Sequence, residues 1–166
     1  MKSSRHRLIG LPASVLLITV AGCSSADDSA GTAVPSPDTE VTKLCQNLDG
    51  ALPREVAGLE RRDPEPRSVL TAGWGNPAII LRCGVARPPK MVDPKVAEGR
   101  DPDAVAGGVN GVDWLMEDAG DGAYRFTTAN RLAYVEVAVP EGRDSSAVLI
   151  DLASAVKKTI PKGIAD

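Results

Sequence analysis

A thirteen-residue apolar run, residues 8–20, followed directly by Val20-Ala21-Gly22-Cys23, decides how much of this 166-residue chain has to fold. Lys2, Arg5 and Arg7 precede the run and give it a positive flank. Crossing a hydrocarbon core of about 30 Å takes roughly 20 apolar residues, so the run is too short for a membrane span and fits the h-region of an export signal. The small residues before Cys23 resemble a bacterial lipobox, in which a diacylglyceryl group joins the cysteine thiol before cleavage. The competing reading is an ordinary signal peptide whose cleavage site happens to precede a cysteine. The expected organisation is therefore a signal peptide over residues 1–22, a lipidated Cys23 with a flexible tether over 23–38, and one extracytoplasmic domain over 39–166. Two acyl chains (palmitate-class, with or without a third) would suffice for stable anchoring to the cell membrane.

Removal of residues 1–22 takes away three basic side chains and no acid, leaving 16 Lys and Arg against 22 Asp and Glu, a net charge of −6. An acidic chain offers no electrostatic case for nucleic acid as a partner. The only histidine, His6, lies in the export signal. The mature chain then has no imidazole for a Ser-His-Asp or Cys-His site, nor for a His-containing zinc site. No metal ligand set, cofactor or catalytic residue is expected.

With Cys23 acylated, Cys45 and Cys83 remain, an even number in an oxidising compartment, and a disulfide between them is expected. Two buried thiols or a redox pair are the alternatives, although redox cysteines usually lie close in sequence, as in C-x-x-C.

Residues 24–38 contain one large apolar side chain, Val34, and bury too little surface to offset their ordering entropy. Val41, Leu44, Cys45 and Leu48 then recur at helical spacing, with Asp38 or Thr39 as a cap and Gly50 as a stop. The proline-rich stretch 52–77 predicts little regular structure. Ile79, Leu81, Cys83 and Val85 alternate with Ile80, Arg82 and Gly84, as a strand with one inner face does. A long excursion to about Gly111 precedes three strands, near 112–117, 123–128 and 132–139. A helix follows, capped by Asp144 or Ser145 and stopped by Pro161. The fold class is α+β: an antiparallel sheet of about four strands with N- and C-terminal helices packed on one face.

Leu52-Pro53, Gly58-Leu59, Arg61-Arg62, the stretch 72–78 (Ala-Gly-Trp-Gly-Asn-Pro-Ala) and Leu81-Arg82-Cys83-Gly84-Val85 together resemble the domain of unknown function 3515 family, secreted actinobacterial proteins. The resemblance runs from about Cys45 to the C-terminus. It implies an envelope location and brings no activity, substrate or catalytic residue.

Trp74, Asn76, Arg61, Arg62 and Arg82 form the candidate binding patch, with Arg67 nearby. Converging guanidinium groups beside an exposed indole would recognise carboxylate or phosphate on an envelope protein or wall component. The alternative is a core tryptophan, a Gly-Asn-Pro turn, and arginines paired with Glu60, Asp63 and Glu65. Glu117, Asp118 and Asp121 lack the spacing of a calcium loop. Gly107-Gly108-Val109-Asn110-Gly111 has no lysine and opens a strand, unlike a phosphate loop. Ser154-Ala155-Val156-Lys157 matches S-x-x-K at a helix end, without the two companion motifs of such enzymes. The leading expectation is a membrane-tethered, non-enzymatic binding or assembly module. The alternative is a small wall-glycan hydrolase using Glu117, Asp118 and Asp121, which needs two carboxyls about 5–9 Å apart across a cleft.

Overall fold

Alternation of inward and outward side chains organises the molecule. The computed structural model describes residues 32–76 and 79–165, which build one compact unit. The expected export signal, Cys23 and most of the expected tether lie outside the described residues.

Helix α1 (Thr39–Ala51) is capped by Asp38, whose carboxylate accepts from the Glu40 and Val41 N–H groups at 2.8 and 2.9 Å. It buries Cys45 and Leu48, and it continues through Gly50 instead of stopping there. A two-residue turn, Ala57-Gly58, joins β1 (Glu55–Val56) to β2 (Leu59–Glu60). The main sheet is antiparallel and has six strands, not about four: β3 (Thr71–Trp74), β4 (Ile79–Cys83), β5 (Ala104–Val109), β6 (Val112–Gly120), β7 (Ala123–Ala129) and β8 (Val135–Val139). Their spatial order is β3-β4-β8-β7-β6-β5. One-turn α2 (Pro94–Ala97) precedes β5, and α3 (Ser145–Thr159) follows β8.

The two extra strands, β3 and β5, are short or poor in large side chains. β5 reads Ala-Val-Ala-Gly-Gly-Val and folds back on β6 through Asn110-Gly111. Both turn residues have positive φ, 48° and 78°, which matches the right-handed twist of a two-residue hairpin.

One face of the sheet carries Ala72, Trp74, Ile79, Leu81, Val135, Val137 and Phe126, joined in one core with Leu48 of α1 and Val148, Leu152 and Val156 of α3. Full burial of each such aliphatic side chain contributes about 1.5–3 kcal/mol. The Cys45–Cys83 disulfide is formed, with the two Cα atoms 5.6 Å apart, and staples α1 to β4. Asp144 caps α3 through the Ser146 and Ala147 N–H groups, and Lys157 and Lys158 stand in its last turn, where the helix dipole is negative.

The opposite face is covered in part. Val96 of α2, with Met91 before it, packs on Ala104 and Leu115 in a small second cluster. The Lys90 ammonium holds this excursion by a 2.9 Å bond to Asp101. Residues 32–37, expected within the tether, run against the domain: the Thr32 N–H bonds the Glu65 carbonyl, and Pro37 lies where a Cβ on Gly84 would sit.

Candidate functional site

The five residues of the sequence patch fall on two sides of the sheet. Trp74 is fully buried on the helix-covered face, where its indole N–H donates to the Pro53 carbonyl at 3.2 Å. Arg61 extends β2 as a bridge to Trp74. Its guanidinium bonds Asp63 at 2.7 Å and Asp49, near the end of α1, at 2.5 Å. Burial works against the Arg61 charge, but the hydrogen bonds that Arg61 donates to Asp63 and Asp49 outweigh it, and the net shift is upward. This arginine ties helix to sheet. Arg62 is the next residue along the strand and faces the other way; its N–H bonds the Gly73 carbonyl and its side chain is exposed. Asn76 is exposed at the turn after β3.

Arg82 lies on the open face because its neighbours Leu81 and Cys83 point into the core. Strand register sets it directly opposite Glu136 of β8, and Glu136 opposite Thr127 of β7. The Arg82 Nε and Nη2 both donate to Glu136 Oε1, at 2.9 and 2.7 Å. Arg125 of β7 reaches the second oxygen at 3.7 Å. The Glu136 side chain is 11% exposed, so its charge is held between two guanidinium groups and little water. Two cations on one carboxylate leave one positive charge over. Beside them the Thr127 hydroxyl is buried with no hydrogen-bond partner among the described residues.

Arg82 and Glu136 line a cleft of about 460 Å³, whose far wall is Ala33, Val34, Pro35 and Ser36. The chain segment leading back toward Cys23 thus borders Arg82 and Glu136. Such a cleft can take a carboxylate or phosphate group by charge-assisted, forked hydrogen bonds.

The acids considered for hydrolysis do not converge. Glu117 occupies the open face of β6, close enough to Lys90 to interact with its charge. Asp118 accepts from the Gly120 N–H at 2.7 Å and shapes the bulge before the turn. Asp121 sits in the turn itself with a φ of 52°. Among the described residues no group of three His, Cys, Asp or Glu side chains could hold a metal ion. Ser154 and Lys157 are both exposed on α3.

Reasoning from sequence missed Arg125 and Glu136. The signal was present: Val135, Val137 and Val139 place Glu136 mid-strand among buried positions, where a carboxylate requires a cation. Arg131 was missed as well. It is 3% exposed and donates to the Ile160 and Gly111 carbonyls at 2.8 and 3.0 Å, joining the end of α3 to the β5–β6 turn.

Among the described residues no helix is long and apolar enough to cross a membrane. No curated protein and no solved structure gives a significant match to the chain. The family model described as a protein of unknown function (DUF3515) matches residues 8–165. Covering nearly the whole chain, from the start of the apolar run to the C-terminal segment, that match establishes that the protein belongs to this family.

Proposed function

We propose that the protein is an exported lipoprotein, held at the outer face of the cell membrane through Cys23. In this reading it binds an envelope component bearing carboxylate or phosphate groups in the Arg82 cleft. The lipobox-like stretch before Cys23 supports the anchor. The Cys45–Cys83 bridge suits an oxidising compartment. The observation that carries the binding reading is the Arg82–Glu136–Arg125 cluster. The cluster carries one positive charge over, and its Arg82 and Glu136 line a concave surface of an acidic chain, Glu136 holding Arg82 by two hydrogen bonds.

In-cell crosslinking and pull-down of the full chain tests it, comparing wild type with an Arg82→Gln, Arg125→Gln double variant. Hydrogen bonds to charged groups contribute about 1.5–3 kcal/mol each, so loss of one such contact should cut capture by about tenfold or more. Equal capture by both forms would reject the cleft as the binding site.

A further inference from the structure

The two edges of the six-stranded sheet are treated differently. At the β3 edge the chain adds a partner: the Gly75 N–H bonds the Glu60 carbonyl, the Arg62 N–H bonds the Gly73 carbonyl, and the covering segment reads Glu60-Arg61-Arg62-Asp63-Pro64. Charges and proline at an edge block further pairing. At the β5 edge no strand pairs among the described residues. β5 has no charge and no proline, residues 105–108 are exposed, and Val105 is 52% exposed. An uncharged strand of six residues with outward N–H and C=O groups is a template for another strand.

We propose that β5 pairs antiparallel with β5 of a second copy, Gly107 opposite Gly107, to form one continuous sheet across a two-fold dimer. The register follows from the pleat. About a two-fold axis perpendicular to the sheet, opposed residues share a face, so the axis passes through a residue paired with itself, and Ala106 and Gly107 are the central choices. The Gly107 register sets Val105 of each copy against Val109 of the other, giving two apolar cross-strand pairs. It also sets Asp103 opposite Gly111 of the second copy. A Cβ on Gly111 would lie 3.5 Å from Lys157 Cδ and 3.9 Å from its Nζ, which brings the other copy's Lys157 to the end of the strand where Asp103 stands. Asp103 has only a 3.8 Å contact to Lys90 within its own chain, its side chain is 66% exposed, and Lys157 makes no ion pair among the described residues. The Ala106 register instead sets Val109 against Asp103 and loses both gains. Because the β3 edge is closed, pairing stops at two copies and gives an isologous interface.

Gly107→Cys in the full chain tests the register. A Cβ there meets nothing within 4 Å. Opposed Cα atoms in an antiparallel pair lie about 4.5–5.5 Å apart, inside the range a disulfide spans. Membranes from expressing cells should show at least about tenfold more covalent dimer on a non-reducing gel for Gly107→Cys than for Gly108→Cys or wild type, since only position 107 meets its own copy. Adding Asp103→Lys to Gly107→Cys should reduce the dimer several-fold, and adding Lys157→Asp as well should restore it. Detergent-solubilised wild type should sediment as a dimer. A monomeric wild type, equal crosslinking at positions 107 and 108, or a mixed disulfide between the Gly107→Cys variant and a different protein would overturn the proposal.

Discussion

Cys45 of α1 and Cys83 of β4 are bonded to each other across 38 residues of sequence, and both are buried in the main core. The bond joins the first helix to the strand next to the β3 edge, and it closes a loop that includes β1, β2 and β3. In the chain-entropy picture a loop of this length contributes about 4 kcal/mol. Replacing both cysteines with serine should lower the thermal midpoint by roughly 10–20 °C for a domain of this size. A shift of a degree or two would show that the bond constrains little.

Trp74 should behave as a core residue. Trp74→Ala should cost about 3–5 kcal/mol. Trp74→Phe should lose less, chiefly the bond to the Pro53 carbonyl, about 1–2 kcal/mol. Urea denaturation with unchanged slope measures both. An alanine variant as stable as wild type would mean that the indole is not packed as described.

The Lys90–Asp101 pair gives a pH signature. The hydrogen bond from Lys90 is the main cause of the depressed Asp101 pKa, and the bond to Asp101 is the main cause of the raised Lys90 pKa. A depressed carboxylate adds stability that is complete above its unfolded pKa, about 4, and is lost as pH falls through the folded value. A raised lysine adds stability that is complete below its unfolded pKa, about 10.4, and is lost as pH rises through the folded value. The difference in thermal midpoint between wild type and Lys90→Met should therefore be flat from about pH 5 to 9 and close at both extremes. A difference that changes within that window would contradict the assignment.

Arg131 should matter more than any exposed arginine. Arg131→Met keeps apolar volume but leaves the Ile160 and Gly111 carbonyls without their charged donor, at a cost of about 2–4 kcal/mol. Arg131→Lys, with one compact head in place of a fork, should recover part of this. Chemical denaturation of the two variants would show the ordering, and a Met variant equal to wild type would refute it.

Much of the fold is legible where periodicity is strong. Val41, Leu44, Cys45 and Leu48 announce α1, and the alternation around Leu81 and Cys83 announces both β4 and the inward cysteine. β3 and β5 are hidden for different reasons. β3 is four residues long and lies among prolines, while β5 is built of alanine, glycine and two valines on an edge that needs little burial. Asn110-Gly111 is the hairpin signal that exposes β5. The site is legible in part. Arg82 stands out in the sequence, but adjacency groups it with Trp74 and Arg61, which the pleat sends to the other face. Its actual partners, Glu136 and Arg125, come from strands more than forty residues away. Only the register of β4, β8 and β7 brings them together.

Anchoring through Cys23 underlies the proposed function, and the intact mass of the protein recovered from the membrane fraction tests it most directly. The expected species is a chain beginning at Cys23 and carrying a diacylglyceryl group on that residue, with Cys45 and Cys83 protected from alkylation. A chain that retains residues 1–22, or one with a free thiol at Cys23, would contradict it.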